Sequence, residues 1–174
     1  MFGFYSPSGR PRPDFFWAAF LVLVIGPQAA RAGGGHDTPA AIAVQRSAAA
    51  ELPRIRLEIG SRTVTAEVAL DAASHSRGLM FREKLGRDHG MLFLFPEAQQ
   101  PCFWMKNTPL PLSIAFIDAG GMIVSLADMQ PYSLDTHCAI APVRYALEMN
   151  QGWFARYGAG PGTPVKGLPR LTPR

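Results

Sequence analysis

The segment CFWMKNTPLP, at residues 102–111, combines side chains that could bind a ligand. Trp104 and the methionine after it are large and apolar, and Lys106 and Asn107 follow them directly. Such a segment could line a pocket whose apolar side chains form the floor and whose polar ones bind an anionic or carbonyl group. In the alternative interpretation the apolar side chains pack in the core, while Asn107 and Thr108 bond the backbone of a turn. The residue types alone favour this structural interpretation.

Glu148 is a carboxylate inside the apolar segment YALEMN, at residues 145–150. If its side chain faces inward, the charge needs a partner. Arg82 is a candidate, because a guanidinium can bind a carboxylate through two hydrogen bonds. An unpaired Glu148 with a raised pKa in a cleft would instead be a general acid or base. The pattern favours either a structural pair with Arg82 or a side chain that points outward.

Methionine and histidine side chains suggest another chemistry, since thioether and imidazole ligands suit copper in an exported protein. The chain has 7 methionines and 4 histidines, but none of them are spaced as in H-x-H, M-x-M or H-x-x-x-H. Met91, Met122 and Met149 lie in apolar segments, which is typical of packing. The sequence also lacks G-x-S-x-G, P-loop, H-E-x-x-H and G-x-G-x-x-G signatures. We therefore predict no metal and no cofactor, with copper handling as an alternative.

The N-terminus has the order of features found in a secretory signal peptide. Arg10 and Arg12 precede an apolar stretch over residues 15–25, and an A-x-A site ends at Ala32. That stretch is shorter than the roughly 20 apolar residues that a membrane-spanning helix needs. We expect residues 1–32 to be a cleaved signal peptide, with an uncleaved N-terminal membrane anchor as the alternative. The protein would then be periplasmic or secreted.

Cys102 and Cys138 are the two cysteines of the chain. An even number of cysteines in an exported protein favours a disulfide. The bridge would close a loop of about 37 residues, which the chain-entropy estimate converts into roughly 3.5 to 4 kcal/mol of stabilisation. Redox-active pairs usually have C-x-x-C spacing, which this pair lacks. Two free thiols or a metal site are the alternatives.

Length and composition fit one globular domain with a short extension. The chain has 174 residues, of which 48% are hydrophobic and 17% charged, with a net charge of +4. Because neither sign of charge forms a long run, nucleic acid is not an expected partner. After the signal peptide we expect a flexible, Gly- and Ala-rich linker over residues 33–53. A folded domain over residues 54–168 and a C-terminal tail over residues 169–174 complete the predicted organisation.

The predicted elements are mostly short strands. Apolar and polar residues alternate over residues 55–59 and 64–70, on either side of a Gly-Ser turn, which predicts a hairpin. Asp71 should cap a short helix that ends at Gly78. The apolar run over residues 91–95 predicts a strand covered on both faces. Further strands are expected over residues 114–117, 122–129 and 145–150 and near residue 165. We predict a β-rich α+β domain, with about seven short strands in an open barrel or curled sheet and one or two short helices.

Three sequence blocks carry a family resemblance: GLMFR at residues 78–82, GMLFLF at residues 90–95 and FWMKNT at residues 103–108. With these blocks the chain resembles the DUF192 family, also called UPF0127, over about residues 55–168. The resemblance implies a small β-rich domain, often preceded by a signal peptide, with no established activity. The family usually has an aspartate where this chain has Ser113 and another where it has Thr163. If either aspartate served catalysis or metal binding, this chain would lack that function.

The first functional hypothesis is a non-catalytic binding module of the cell envelope. Its partner would be a small ligand or an envelope protein, and the domain is expected to be monomeric. The second hypothesis is an envelope hydrolase with Glu148 as acid or base, and the third is copper handling. The candidate ligand-binding residues are Arg82, Trp104, Lys106, Asn107, Thr108 and Glu148.

Overall fold

The computed structural model describes residues 51–170. The predicted signal peptide, most of the predicted linker and the end of the predicted tail lie outside the described residues. The elements are β1 (Arg54–Ile59), β2 (Arg62–Ala69), α1 (Ala72–Arg77), β3 (His89–Gln99), β4 (Cys102–Phe103), β5 (Leu112–Ile117), β6 (Ile123–Met129), β7 (His137–Cys138), β8 (Val143–Asn150), α2 (Trp153–Arg156) and β9 (Val165–Lys166).

Seven strands form one curled sheet, in the order β6-β5-β8-β3-β2-β1-β9. Strands β2 and β3 are parallel, whereas the other paired neighbours in this sheet are antiparallel. A parallel pair needs a crossover, and α1 with the loop after it provides this connection. Strands β4 and β7 form a separate two-stranded ribbon. The prediction of a β-rich α+β domain with a curled sheet is confirmed, with 9 strands between residues 51 and 170.

The sequence patterns predicted several helices and strands correctly. The β1–β2 hairpin forms with Leu57 opposite Val64. The side chain of Asp71 caps α1 by accepting a hydrogen bond of 2.7 Å from the backbone of Ser74. Gly78 ends α1 with a φ of 48°, a left-handed conformation that glycine adopts without a Cβ penalty. The ribbon of β4 and β7 was not predicted. Strands of two residues are too short to show the alternation of apolar and polar side chains that identifies a strand in a sequence.

Both faces of the sheet are covered, and each face has its own apolar core. All six residues of β5 are buried, as expected for a strand with both faces covered. The first core includes Leu57, Val64, Leu92, Ala115, Leu147, Trp153 and Phe154. The second core includes Ala69, Leu79, Met91, Phe93, Phe103, Met105, Leu112, Ile114 and Ala146. Helix α2 therefore covers the first face, while the loop after α1, the ribbon and the loop after β4 cover the second.

Candidate functional site

A row of four residues crosses the second face of the sheet: Glu67 on β2, Met91 on β3, Glu148 on β8 and Ile114 on β5. Each is directly opposite the next, so their side chains share one face. Neighbouring strands are about 4.8 Å apart, which places the backbones of Glu67 and Glu148 about 10 Å apart. The two carboxylates are thus on the same face but separated by the side chain of Met91.

Arg82 binds Glu67. The Nη1 atom of Arg82 donates to Oε1 of Glu67 at 3.1 Å, and Nη2 donates to Oε2 at 2.5 Å. Arg54 forms a second ion pair with Glu67, since its Nη2 atom lies 3.6 Å from Oε1 of Glu67. The hypothesis that Arg82 pairs with Glu148 is therefore wrong. The physical reason is that Arg82 lies in the connection between β2 and β3, which places it over β2 rather than over β8.

Glu148 is buried on the same face of the sheet. Its side chain is only 4% exposed, and no hydrogen bond or ion pair joins it to another residue between 51 and 170. Burial raises the pKa of its carboxyl group from 4.5 to about 7. The alternative expectation, an outward side chain, is also wrong. Strand β8 is central and covered on both faces, so alternation along it leaves no solvent-facing side.

Three loops meet over the same face of the sheet. The backbone N–H of Phe81 donates to the carbonyl of Asn107 at 2.8 Å. The N–H of Tyr132 donates to the carbonyl of Thr108 at 3.1 Å, and a further bond of 2.9 Å joins Met105 to the carbonyl of Ser133. We call this assembly, formed by residues 79–82, 104–108 and 130–134, the three-loop surface. Its backbone bonds hold the three loops in one arrangement.

Each of these loops contains one residue in the left-handed region. Phe81, Asn107 and Tyr132 have φ values of 60°, 56° and 61°, and they are the non-glycine residues with positive φ in the described part of the chain. Asparagine tolerates this conformation, but for a bulky aromatic residue it is an outlier. Such strain costs about 1–3 kcal/mol per residue and clusters at functional sites. The strained loops are thus a candidate site on structural grounds alone.

Aromatic and cationic side chains lie on the three-loop surface. The side chains of Phe81 and Tyr132 are 69% and 64% exposed. Trp104 is half-buried, and the Nζ atom of Lys106 lies 5.3 Å from the centre of its ring, within the range of a cation–π contact. Arg82 follows Phe81 in the chain and is also partly exposed. The surface therefore presents rings and positive charges close together.

Two of the sequence candidates have structural contacts instead. Thr108 is 3% exposed, and its hydroxyl donates to the carbonyl of Lys106 at 3.3 Å. The Nδ2 atom of Asn107 lies 4.0 Å from Sδ of Met80, which is a weak hydrogen bond. The structure thus places Arg82, Trp104, Lys106 and Asn107 at partly or fully exposed positions of the three-loop surface. Thr108 is a buried member of the same loops, and Glu148 is buried in the sheet.

Sequence reasoning missed Phe81 and Tyr132 as site residues. Phe81 lies inside the block GLMFR and could have been noticed there. Tyr132 lies in the loop between β6 and β7, and no motif marks it. Its left-handed backbone and its exposure follow from the contacts between loops, which a single sequence does not display.

The disulfide between Cys102 and Cys138 is confirmed. The two cysteines are directly opposite each other in the β4–β7 ribbon, with their α-carbons 4.0 Å apart. The ribbon connects to two of the three loops, because Trp104 follows β4 and Tyr132 precedes β7. The bridge therefore links two of the three chain segments that form the three-loop surface.

Ser113 and Thr163, the two positions at which the family resemblance implies aspartate, form hydrogen bonds with backbone groups. Ser113 is 3% exposed; its hydroxyl accepts a hydrogen bond of 2.8 Å from the N–H of Gly152 and donates to the carboxylate of Asp128. Asp128 is directly opposite Ser113 across the β5–β6 pair, so a carboxylate is still present there. Thr163 accepts a hydrogen bond of 3.0 Å from the N–H of Gly160. Both residues therefore supply a hydroxyl that accepts a hydrogen bond from a backbone N–H group in a turn.

Ser113→Ala should lower the free energy of unfolding by about 1–2 kcal/mol, because it leaves the N–H of Gly152 without its acceptor in a buried place. Thr163→Ala is the matched control and should cost less than about 1 kcal/mol, since water can replace its half-buried hydroxyl. The urea unfolding midpoints of the two variants, compared at equal m-values, measure the difference between their losses of unfolding free energy. Equal losses for the two variants would contradict this role of Ser113.

No group of three or more His, Cys, Asp and Glu side chains is arranged to hold a metal ion between residues 51 and 170. No helix among the described residues is long and apolar enough to cross a membrane.

Comparison with known protein families shows the family of this chain. The model of the DUF192 family, described as an uncharacterized ACR, matches residues 55–167. The chain belongs to the DUF192 family. No curated protein matches this DUF192 chain.

Two solved structures are similar to this DUF192 chain over nearly their whole length. One, from Sinorhizobium meliloti 1021, is provisionally described as a transcription regulator. It is 36% identical, with a TM-score of 0.65, and the match covers 67% of this chain and 95% of that one. Another, from Novosphingobium aromaticivorans DSM 12444, is described as a protein of unknown function. It is 33% identical, with a TM-score of 0.63, and the match covers 76% of this chain and 99% of that one. This DUF192 domain thus shares its fold with one protein provisionally described as a transcription regulator and with one of unknown function.

Proposed function

We propose that this DUF192 domain is a non-catalytic, exported binding module of the cell envelope that contacts its ligand or partner through the three-loop surface. The observation that carries the proposal is the set of left-handed residues on three adjoining loops. Two of them, Phe81 and Tyr132, expose most of their aromatic side chains. Backbone strain and solvent-exposed aromatic rings both cost stability, so their occurrence at one place favours a functional role.

The composition of the surface supports binding. Aromatic and arginine side chains supply most of the energy at protein interfaces, and Phe81, Tyr132 and Arg82 are of these types. Lys106 adds a charge above the ring of Trp104. Because backbone hydrogen bonds join the loops, little conformational entropy is lost when a partner binds.

The disulfide supports the exported location. Disulfides persist in oxidising compartments and are rare in the cytosol. The bridge of Cys102 and Cys138 is therefore compatible with the signal-peptide interpretation of residues 1–32. We propose a periplasmic or secreted protein on these two grounds.

The two alternatives have less support. A hydrolase would need a second catalytic group beside Glu148, but the oxygens of Glu67 on the same row are occupied by Arg82. Copper handling would need several accessible thioethers, whereas four of the six methionines between residues 51 and 170 are at most 1% exposed and only Met80 and Met122 are half-buried. Both observations favour a binding function over these chemistries.

Photo-crosslinking in the exporting cell tests the proposed surface. A benzoylphenylalanine at position 81 or 132 should crosslink to one defined partner or ligand. The same group at Ala155, an exposed position on α2 over the other face of the sheet, should not. In the protein crosslinked from position 81, Tyr132→Ala should reduce the yield about tenfold, since losing an aromatic anchor costs about 1–2 kcal/mol. Equal yields from positions 81, 132 and 155 would contradict the proposal.

A further inference from the structure

Strand β6 forms one edge of the seven-stranded sheet. The residues of its neighbour β5 are all buried, whereas the five residues between Ile123 and Met129 of β6 are partly or fully exposed. At the start of β6, the N–H group of Ile123 donates to the carbonyl of Thr163, and its carbonyl accepts from the N–H of Gly162. In the described part of the chain, the backbone hydrogen bonds of residues 124–129 join them to β5 alone. The outer side of this stretch therefore has backbone donors and acceptors that no described segment satisfies.

Strand β6 lacks most of the features by which natural proteins keep an edge strand from pairing with another chain. Such edges are usually very short, contain proline or lysine, or are covered by a loop. The opposite edge of this sheet follows the rule, because β9 has two residues and β1 beside it contains Arg54 and Arg56. Strand β6 has seven residues, none of them proline, lysine or arginine, and its irregularity lies near its start, opposite Phe116 and Ile117. Its edge is thus available to an extended segment that adds a strand to the sheet.

A cavity of about 210 Å³ lies beside this edge. Its walls come from β5, β6 and α2, on the face of the sheet that holds the first apolar core, and its lining residues are Ser113, Leu126, Ala127, Asp128, Phe154 and Ala155. The exposed positions Asp128 and Ala155 open it to solvent. Since side chains opposite each other on neighbouring strands are about 5 Å apart, a residue of an added strand that faces this side can reach the cavity.

Asp128 gives the cavity a negative charge. Its Oδ1 atom accepts a hydrogen bond from the hydroxyl of Ser113, which is 3% exposed and accepts in turn from the N–H of Gly152. The buried serine therefore holds the carboxylate in one orientation, and no lysine or arginine between residues 51 and 170 forms an ion pair with it. Most of the remaining lining is apolar, which suits the methylene groups of a lysine or arginine side chain.

We propose that the outer edge of β6 binds an extended peptide segment of a partner protein, with a lysine or arginine side chain of that segment in the cavity against Asp128. Main-chain hydrogen bonds supply the affinity, and the cavity selects the cationic side chain. A second copy of this chain is a poorer occupant, because its own β6 has no lysine or arginine to place against Asp128. The inference goes beyond the proposed function, since the cavity lies on the first face of the sheet and the three-loop surface covers the second.

Titration of the full-length protein with the acetylated and amidated peptide TVKVT, followed by backbone amide resonances, tests the strand pairing. We expect saturable shifts at residues 124–129 and slower hydrogen exchange of their N–H groups. The N–H groups of a strand point alternately to its two sides, so N-methylation of the two valines and N-methylation of the lysine and second threonine remove different sets. One of these changes should abolish binding and the other should preserve it. Equal effects of the two changes would contradict strand pairing.

The peptide TVEVT, in which glutamate replaces the lysine, tests the role of the cavity on the native protein. It should bind at least about tenfold more weakly than TVKVT, because it brings a second negative charge to Asp128. Asp128→Asn should weaken the binding of TVKVT about tenfold and remove the preference for lysine. Asp135→Asn is the matched control and should change neither, since Asp135 is also an exposed aspartate that accepts a hydrogen bond from a serine, Ser133.

Ala155→Trp should also weaken the binding of TVKVT, because a large side chain at this exposed lining position fills the cavity. For the same reason a benzoylphenylalanine at position 155 occupies the cavity itself and remains a negative control for the three-loop surface. If Asp128→Asn does not fold, the comparison of TVKVT with TVEVT on the native protein decides. Equal affinity for the two peptides, no saturable binding at millimolar concentration, or dimerisation through β6 in place of peptide binding would each overturn the proposal.

Discussion

Replacing Cys102 and Cys138 together by alanine is expected to lower the free energy of unfolding by about 4 kcal/mol. The bridge joins residues 36 positions apart and so removes much conformational freedom from the unfolded chain. The ribbon that it crosslinks has strands of only two residues each, so few other bonds hold that region. The loss is a large fraction of the 5–15 kcal/mol that stabilises a typical domain.

Urea unfolding of the double variant, followed by tryptophan fluorescence, measures this effect. The native protein unfolded in the presence of a reductant is the matched control, and it should show the same loss. Hydrogen exchange should also become faster at the N–H groups of Met105 and Tyr132, because both bond across the loops that the ribbon supports. A loss below about 1 kcal/mol would show that the loops are held by their own contacts rather than by the bridge.

Stability should fall as the pH rises from 4 to 8, by about 3 kcal/mol through Glu148 alone. Burial raises the pKa of its carboxyl group from 4.5 to about 7 in the folded state. Between these two values the folded protein binds more protons than the unfolded chain, so raising the pH favours unfolding. Below pH 4 both states are protonated, and above pH 7 the full cost of the buried charge is present.

Glu148→Gln removes this titration and should be more stable than the native protein at pH 8 but not at pH 4. The difference between the two unfolding free energies, measured in urea from pH 4 to 8, isolates Glu148 from the other carboxylates. Glu83→Gln, at an exposed position, should follow the native curve. Parallel curves for the native protein and Glu148→Gln would show that Glu148 is hydrated and titrates normally.

Local structure could largely be predicted from the sequence. The hairpin of β1 and β2, the cap at Asp71 and the buried strand β3 each depend on side chains close together in the chain. Their signals are alternation, capping chemistry and a bounded apolar run, which act over a few residues. The disulfide was also predictable, because the chain has only one way to pair two cysteines.

The partners of the charged residues could not be predicted in the same way. Arg82 was a sound candidate for a carboxylate on its face of the sheet, but two such carboxylates lie on one row. The parallel pairing of β2 with β3 decides that Glu67 is the nearer one. That pairing depends on residues far apart in the chain, and it decides that Arg82 binds Glu67 and not Glu148.

The sequence by itself determined the family, the β-rich architecture, the disulfide and the segments that cover the candidate site. Only the tertiary structure decided that Phe81, Asn107 and Tyr132 adopt left-handed conformations on adjoining loops, and that Glu148 is buried with no bonding partner among residues 51–170. The physical reason is that strand propensity and capping arise from neighbours in the chain. Strain and charge burial arise instead from groups that the fold brings together across many residues.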